Sequence, residues 1–298
     1  MAAVLAFATA PAAQAAETQG FQISPPVTDL TLSPGTSSRG VMKVTNLTDQ
    51  QISLQVSKQN FVAKGDEGEI ELVDNGDPQY SLAPWFTINQ PTVDVPPKST
   101  KEVSYSISVP KDAEPGGRYG SVIFDTIPPK LPSGQSGATV KQRLAGLVFL
   151  RIGGDANEQL AINSFKTGHS FYEYGPVTFT TLIKNLGNVH EKPSGQIVIK
   201  NMLGFKTATI KLDEKNVIPA AARKLTSSFK RPMMFGLYSA ELTLHNGTKQ
   251  TLTAKTSFTV IPYKVIGFTL LALIVLVLFF WRGRKRFIRA FRILAGKE

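Results

Sequence analysis

Cysteine is absent from this sequence of 298 residues. Its absence excludes disulfide frameworks, cysteine-ligated metal sites and thiol catalysis together. Histidine is scarce, and His169, His190 and His245 show no spacing typical of metal ligands. No G-x-S-x-G, Walker or GxGxxG motif occurs in a usable context. We therefore expect a protein that is not an enzyme and that holds no metal or cofactor.

Basic residues are missing from the start of the chain, where no Lys or Arg precedes Arg39. The first residues are apolar instead, and they end in Ala13-Gln14-Ala15, a small-x-small cleavage pattern. This pattern predicts a secretory signal peptide over residues 1–16. Because the basic n-region is missing, we interpret the signal as truncated. An Ala-rich disordered N-terminus is the alternative.

Charge is missing altogether from the run between Val265 and Trp281. As a helix this run rises roughly 25 Å, and with residues 261–264 about 31 Å, which matches a hydrocarbon core of ~30 Å. Tyr263 and Trp281 bracket the run, where interfacial aromatic residues belong. The run predicts a transmembrane helix over residues 263–281. A buried core helix is the alternative, which the length of the uncharged run disfavours.

The tail that follows, residues 282–298, is strongly basic and contains a single acid. Its basic residues are Arg282, Arg284, Lys285, Arg286, Arg289, Arg292 and Lys297. The positive-inside rule places this tail in the cytoplasm and residues 17–262 outside, which makes the chain a single-pass type I membrane protein. Phe287, Phe291 and Leu294 fit a short amphipathic helix on anionic lipid. A disordered stop-transfer tail is the equal alternative.

The net charge of +11 is unevenly divided along the chain. Residues 1–156 hold 12 basic and 15 acidic residues, a net charge of −3, whereas residues 157–264 hold 14 and 6, a net charge of +8. The basic character therefore does not indicate a nucleic-acid partner. We expect the basic membrane-proximal segment to be drawn to lipid headgroups or anionic wall polymers, unless it is merely a solvated lysine-rich surface.

Between its two ends the sequence alternates apolar and polar residues, with Gly, Pro, Asn and Asp clusters at intervals and no sustained helical period. The predicted strands are 21–32, 39–47, 51–61, 69–73, 100–109, 118–126, 139–152, 158–166, 175–185, 195–200, 205–212, 223–229, 236–245 and 250–260. About seven short strands in each half are typical of an immunoglobulin-like sandwich. The expected fold is all-β: two tandem immunoglobulin-like β-sandwiches over 17–156 and 157–262, plus one C-terminal transmembrane helix. The turn-rich segment Gly153–Gln159 marks the boundary between them.

A short phrase occurs twice, as GGRYGSVIFD at 116–125 and as FGLYSAELTL at 235–244. In both, a Gly two residues before a Tyr opens an alternating strand after a Pro-containing corner. This position is typical of the tyrosine corner of a Greek-key sandwich, which predicts structural roles for Tyr119 and Tyr238. A binding role for these two tyrosines is the alternative.

Asparagine-rich turns form a second repeat, at Asn46–Asp49 and Asn185–Asn188, each between alternating strands. Asn46-Leu47-Thr48 and Asn246-Gly247-Thr248 match the N-glycosylation pattern, but we interpret both as turns. The acidic segment 64–77 predicts a solvated hairpin. Its acids do not keep the EF-hand order, so a weak calcium site is the alternative.

Two segments carry a resemblance to a known family. FQISPPVTDLTLSPGTSSRGVMKVTNLTDQQISLQVSKQNF (21–61) and YSLAPWFTINQPTVDVPPKSTKEVSYSISVPKDAEPGGRYGSVIF (80–124) resemble the first domain of the WxL-interacting proteins of Gram-positive bacteria. The layout is similar too: a signal, two β-sandwich domains, one transmembrane helix and a basic tail. The resemblance implies that the first domain binds peptidoglycan, that the second binds a host or partner ligand, and that the chain associates with WxL-domain surface proteins. Residues 157–262 match only in strand pattern.

A weaker resemblance involves VKQRLAGLVFLRIGG at 140–154, which is similar to the last strand of the first domain in periplasmic pilus chaperones. Those proteins bind subunits by donating a strand. They are soluble, however, whereas this chain is predicted to be anchored. Residues 128–139 could leave an edge open for such pairing, or they form a long loop that closes the sandwich, which we favour.

Binding to a wall polymer would stack sugar rings on exposed aromatic side chains and fix them with polar groups. The irregular segment YSLAPWFTINQP contains the best candidates for ligand-binding residues: Tyr80, Trp85, Phe86 and Asn89. Alternatively, Trp85 is buried in the sandwich core, as is common in such domains.

The sequence therefore predicts a non-catalytic, single-pass bacterial surface protein that binds or scaffolds a cell-wall polymer or a surface protein partner. One alternative is a membrane-tethered chaperone or assembly factor that pairs an edge strand with exported subunits. A second alternative is an accessory subunit of an envelope enzyme complex. The ligand, the role of the second domain and the oligomeric state stay open.

Overall fold

The computed structural model describes residues 20–128, 141–247 and 250–294, with side chains as far as Arg282. The signal peptide predicted over residues 1–16 lies outside these ranges. The described chain consists of strands followed by a long C-terminal apolar helix, which confirms the predicted fold class. It divides into two compact units, each with its own apolar core.

Unit 1 comprises residues 20–64, 69–157 and 188–190 of the described chain. Its strands are β1 (Phe21–Ser24), β2 (Val27–Leu32), β3 (Ser37–Asn46), β4 (Ile52–Lys64), β5 (Glu69–Val73), β6 (Phe86–Ile88), β7 (Thr92–Val95), β8 (Thr100–Ser108), β9 (Gly116–Ile127) and β10 (Arg143–Ile152). One sheet has the order β1-β3-β8-β6. The other has the order β2-β10-β9-β4-β5, with β7 also paired to β4.

The two sheets of unit 1 share a single core. Met42 and Tyr105 from the first sheet are fully buried together with Leu54 and Phe124 from the second. Along β8 the buried residues alternate with more exposed ones, as the period of two in the sequence predicts. Because burial of each large apolar side chain contributes about 1.5–3 kcal/mol, this shared core holds the two sheets together as a sandwich.

Unit 2 comprises residues 65–68, 158–187 and 191–294 of the described chain. Its strands are β11 (Leu160–Thr167), β12 (Phe171–Tyr172), β13 (Val177–Asn185), β14 (Ser194–Asn201), β15 (Lys206–Lys211), β16 (Ala222–Phe229), β17 (Gly236–His245) and β18 (Thr251–Val260). The sheets have the orders β11-β13-β16 and β12-β18-β17-β14-β15. Phe179 and Phe258 from the two sheets meet in the core, with ring centroids 5.8 Å apart.

The strand predicted over 21–32 is two strands, and they belong to different sheets. β1 pairs with β3 in one sheet, whereas β2 pairs in parallel with β10 in the other. Pro25 and Pro26 separate them, and prolines cannot donate to a ladder, so the chain leaves the first sheet at this point. The alternation of the sequence continues across the prolines and therefore did not indicate the change of sheet.

Three short strands were not predicted: β6, β7 and β12. They contain two to four residues each, which is too short for a period of two to stand out. β12 exists because its neighbour β18 provides hydrogen-bonding partners for Phe171 and Tyr172. Such pairing depends on contacts between distant segments and leaves little trace in the local sequence.

The two predicted corner tyrosines lie near the start of their strands, β9 and β17, and are buried. Tyr119 packs edge-on against Phe149 at 5.6 Å, and Tyr238 stacks on Phe258 at 5.3 Å. The hydroxyl of Tyr119 has no hydrogen-bond partner of normal geometry in the described part of the chain. This hydroxyl instead interacts with the backbone of His190 and not with the preceding loop. The structural role of both corner tyrosines therefore stays a prediction.

The asparagine turns have one chemistry in both units. Asn46 and Asn185 are fully buried at the ends of β3 and β13. The Oδ1 of Asn46 accepts a hydrogen bond from the N–H of Thr48, at 2.9 Å, and that of Asn185 accepts one from the N–H of Gly187, at 2.8 Å. Since the amide of Asn46 is buried and bonded, this residue acts as a turn and not as an exposed glycosylation acceptor.

Strand β10 has neighbours on both sides over most of its length. It pairs with β9 throughout, and Leu147–Ile152 also pairs with β2. Only Arg143–Gly146 has no second neighbour in the described sheet. The segment 128–139, which we predicted to be a long loop with a free edge as the alternative, lies outside the described residues from residue 129 onward.

Helix α1 (Tyr263–Leu294) follows β18 after two residues. Its segment Tyr263–Arg282 is long and apolar enough to cross a membrane, and its side chains are exposed in the isolated chain. The helix continues to Leu294, beyond the predicted span, so the backbone of the tail is helical as far as that residue. The side chains of the tail, including those of Arg284, Lys285 and Arg286, lie outside the described part.

Candidate functional site

The candidate site in unit 1 is built on the segment between β5 and β6, which ends in a short 3₁₀ turn over Ala83–Trp85. Side chains of strand β4 fix this segment through hydrogen bonds. The Oδ1 of Asn60 accepts hydrogen bonds from the N–H groups of Leu82, at 2.9 Å, and Ala83, at 2.7 Å. Lys58 donates from its Nζ to the carbonyl of Phe86. A buried asparagine and a lysine on a core strand thus fix an irregular segment that has few bonds of its own.

Strand β9 supports the same segment from its other side. The N–H of Tyr119 donates to the carbonyl of Tyr80 at 2.8 Å, and the N–H of Leu82 donates to the carbonyl of Tyr119 at 3.3 Å. Gly120 permits this close approach, because a Cβ at this position would lie 2.7 Å from a ring carbon of Phe86. The segment is therefore held rigidly against the sheet.

The structure separates the four predicted ligand-binding residues. Phe86 is 2% exposed and belongs to the core. Trp85 is half-buried and packs against that core from its edge, so part of the indole reaches the surface. Tyr80 is also half-buried, whereas Asn89 is exposed and donates to the Oγ of Ser104 at 3.2 Å. In the described part of unit 1, no hydrogen bond or ring contact joins Asn89 to Tyr80 or Trp85.

Arg118 is the residue of this site that sequence reasoning missed. Its guanidinium carbon lies 5.4 Å from the centroid of the Trp85 ring, although the residue is only 6% exposed. Its Nη1 donates to the carbonyl of Gly117 at 3.0 Å, while its Nε has no partner among the described residues. A signal was available, since Arg118 stands inside the repeated phrase at 116–125. The sequence predicted a structural role for the tyrosine of that phrase, with binding as the alternative, and assigned no role to its arginine.

The electrostatics of Arg118 are those of a buried cation. Burial lowers the pKa of its guanidinium, and the negative charge of Glu114 is the largest influence opposing this shift. An arginine remains protonated even so, because its pKa starts so far above neutrality. The site therefore places a fixed positive charge beside a partly exposed indole.

Chemically, this arrangement suits the binding of a sugar ring or a carboxylate. An indole face accepts the apolar face of a sugar ring, and a guanidinium binds carboxylate or carbonyl oxygens. Neither the site nor any other described part of the chain contains a group of three or more His, Asp or Glu residues placed to hold a metal ion.

The two sheets and their shared core define unit 1 as a β-sandwich. Residues 11–126 match the family model described as WxL Interacting Protein, peptidoglycan binding domain. The matched range contains both Trp85 and Arg118. This match confirms the resemblance that the sequence indicated over the first part of the chain.

Comparison with curated proteins gives no match. Among solved structures, the chain is similar to the class 5 fimbriae chaperone CfaA, with 16% identity, a TM-score of 0.41, and coverage of 80% of this chain and 99% of that one. It is also similar to the Salmonella enterica SafB chaperone complex with the SafA pilin (11% identity, TM-score 0.40, coverage 83% and 99%) and to the E. coli chaperone DraB (9%, 0.38, 82% and 98%).

Proposed function

We propose that the protein is a membrane-anchored bacterial surface protein whose first sandwich binds peptidoglycan without catalysis. The observation that carries this proposal is the match of residues 11–126 to a peptidoglycan-binding domain family. The cation beside Trp85 supports it, because peptidoglycan combines sugar rings with carboxylates. In this view Trp85 contacts a sugar ring, Arg118 binds a carboxylate or carbonyl oxygen, and Tyr80 borders the same surface.

Helix α1 is the membrane anchor in this proposal. Its apolar segment is the length of a membrane span, and the basic tail from Arg282 onward favours a cytoplasmic C-terminus. With the helix as base, unit 2 lies nearer the membrane along the chain and unit 1 farther from it. The protein would thus hold a wall-binding module outside the bilayer.

Retention on purified sacculi tests the proposal. The detergent-solubilised protein is expected to sediment with sacculi at moderate salt, and Trp85→Ala is expected to weaken retention by about tenfold, the equivalent of ~1.4 kcal/mol. Trp85→Phe keeps an aromatic face and should recover part of the binding. If the wild-type protein stays in the supernatant, peptidoglycan binding is rejected.

Two control variants separate binding from stability. Phe86→Leu alters the core beneath the site, so it should lower the melting temperature and leave retention unchanged. Arg118→Met removes a buried charge at similar volume, so it should weaken retention without loss of stability. Retention that instead follows the melting temperature across all variants would contradict a binding role for Trp85 and Arg118.

The chaperone alternative has a narrower structural basis. Addition of a strand to β10 could use only Arg143–Gly146 on its free side, because Leu147–Ile152 is already paired. A chaperone should co-purify with one exported partner in a complex that survives high salt. An accessory subunit of an envelope enzyme complex should co-purify with that enzyme, and neither of these should bind bare sacculi.

A further inference from the structure

One end of unit 2 carries a cluster of large apolar side chains that nothing in the described chain covers. We name this cluster the apolar tip, and it consists of Met202, Leu203, Phe205, Met233 and Phe235. These side chains are between 67% and 83% exposed. Single exposed apolar residues are ordinary, but five large ones on two adjacent loops indicate an interaction surface.

The two loops of the apolar tip lie side by side. The first joins β14 to β15, and the second joins β16 to β17. A Cβ at Gly236, which follows the second loop, would lie 3.3 Å from the Sδ of Met202 in the first. Asn201 also pairs with Tyr238 across β14 and β17, so both loops lie at the same end of the strands of unit 2.

Helix α1 begins at that same end of the strands of unit 2. Gly236, the first residue of β17, pairs with Val260, the last residue of β18. Tyr263, the first residue of the helix, stands three positions after Val260. The loops of the apolar tip and the start of the membrane helix are therefore level with one another, at one end of unit 2.

The charges around the apolar tip suit an anionic surface. Lys206, Lys230 and Arg231 flank its loops and are exposed. The nearby acid Glu173 is paired with Lys264, at 2.8 Å, at the start of the helix. Apolar side chains with Lys and Arg beside them are the composition that inserts into the headgroup layer of an anionic membrane.

We propose that the apolar tip rests in the headgroup layer of the outer leaflet, so that unit 2 is docked on the lipid as well as tethered to it. This inference rests on the anchor of the proposed function. The occupant of the apolar surface is lipid, because helix α1 brings the bilayer surface to the level of the tip. A second copy of the chain or a protein partner could bind the apolar tip wherever the membrane helix began, so the position of α1 favours lipid as the occupant.

Docking has a consequence for the function of the protein. A tether alone would let unit 2 swing about the two residues between β18 and α1. Contacts from two loops and the helix fix the unit at three places, which sets its tilt on the membrane. Unit 2 then serves as a rigid base from which the chain continues to unit 1.

The absence of cysteine makes a direct test simple. Single cysteines are introduced as Leu203→Cys and Phe235→Cys in the apolar tip, Leu186→Cys as a control, and Leu273→Cys inside the helix. The full chain is labelled with an environment-sensitive fluorophore and reconstituted in phosphatidylcholine–phosphatidylglycerol vesicles. Quenching by nitroxide lipids is compared with quenching by aqueous iodide.

Leu186 is a matched control, because it is an exposed apolar residue at the opposite end of unit 2, following β13. Since it belongs to the same unit, it also corrects for molecules whose unit 2 faces the vesicle lumen. Leu203, Phe235 and Leu186 are 71%, 68% and 47% exposed, so a fluorophore can be attached at each of them. The label at Leu273 reports separately whether the helix is in the bilayer.

The proposal expects labels at 203 and 235 to be quenched by nitroxide lipids and to be several-fold less sensitive to iodide than the label at 186. If the label at 273 is in lipid but those at 203 and 235 respond to iodide as 186 does, docking is overturned while the anchor stands. Protection from both quenchers would assign the tip to a protein partner or a second copy and overturn lipid docking. If the label at 273 is not in lipid, both the anchor and the docking fail.

Discussion

A buried histidine in unit 1 makes the protein sensitive to acid. His190 packs edge-on against Tyr119, at 5.6 Å, and against Phe149, at 5.3 Å. Burial and, to a smaller extent, the charge of Arg151 lower the pKa of His190 from 6.5 to about 4, while the carboxylate of Asp29 opposes the shift. His190 is therefore neutral in the folded protein at neutral pH.

The first prediction follows from that shift. The unfolded chain binds a proton at His190 near pH 6.5, whereas the folded chain does so only near pH 4. The stabilising contribution is present above pH 6.5 and is lost as the pH falls towards 4, by about 3 kcal/mol in all. Melting curves between pH 7.5 and pH 4.5 should show a smaller loss of stability for His190→Gln than for the wild type. Equal pH dependence would contradict the assignment.

A glycine beside the same cluster has a steric role. A Cβ at Gly117 would lie 2.0 Å from the hydroxyl oxygen of Tyr119. The tyrosine ring cannot easily move away, because Phe61 and Phe149 pack on it with ring centroids at 5.9 Å and 5.6 Å. Gly117 thus leaves the space into which the Tyr119 ring folds back.

The second prediction concerns this space. Gly117→Ala should lower the free energy of unfolding by about 1–3 kcal/mol, as overpacking of a core does. Chemical denaturation measures it. Gly153→Ala is the control, since its Cβ would meet no atom closer than 3.7 Å. A Gly117→Ala protein as stable as this control would mean that the Tyr119 ring is free to move.

At the scale of elements, the buried asparagines close the turns after β3 and β13. The Nδ2 of Asn46 donates to the carbonyls of Gln50, Val95 and Pro96, at 2.7, 3.1 and 3.1 Å. The Nδ2 of Asn185 donates to the carbonyl of Val217 at 2.8 Å. Each side chain therefore ties its turn to a segment that is distant in the sequence.

The third prediction is that Asn46→Ala lowers the free energy of unfolding by about 2–4 kcal/mol, because it leaves buried carbonyl and N–H groups without partners. Thermal or urea denaturation of the full chain in detergent checks it. Asn89→Ala, at an exposed position with one bond of 3.2 Å, should stay within about 0.5 kcal/mol of the wild type. If Asn46→Ala changed the free energy of unfolding as little as Asn89→Ala does, the Asn46 turn would not have the stabilising role assigned to it.

At the scale of the whole molecule, the proposed anchor predicts on which side of the membrane the strands lie. The fourth prediction is that protease added to intact cells cleaves within residues 20–262 but spares an epitope fused after Glu298. The basic tail gives this orientation, because lysine- and arginine-rich flanks stay cytoplasmic. In permeabilised cells the epitope should be lost as well. Survival of residues 20–262 on intact cells would reverse the proposed topology.

Much of the fold could be predicted from the sequence. The alternation along β8 and β13 gave the strands and their buried faces, since neighbouring residues of a strand point to opposite sides. The uncharged run before Arg282 gave the helix. The division of 21–32 into β1 and β2 could not be predicted, because which sheet a strand joins depends on partners more than 100 residues away.

The candidate site was predicted in part. The segment from Tyr80 to Asn89 was identified by composition, and half-burial of Trp85 lies between the two alternatives that the sequence left open. Composition could not distinguish Phe86, which points into the core, from its neighbour Trp85. It also could not find Arg118, because β9 brings that residue to Trp85 from 33 positions away in the sequence.

The sequence by itself determined whatever repeats along the chain: strands, turns, an apolar span and its basic flank. These features arise from local periodicity and hydrophobicity, which each segment carries without its neighbours. The tertiary structure alone decided which residues meet. It placed Arg118 beside Trp85 and set two apolar loops level with the start of α1, because strand pairing joins segments whose separation in the sequence says nothing of their distance in space.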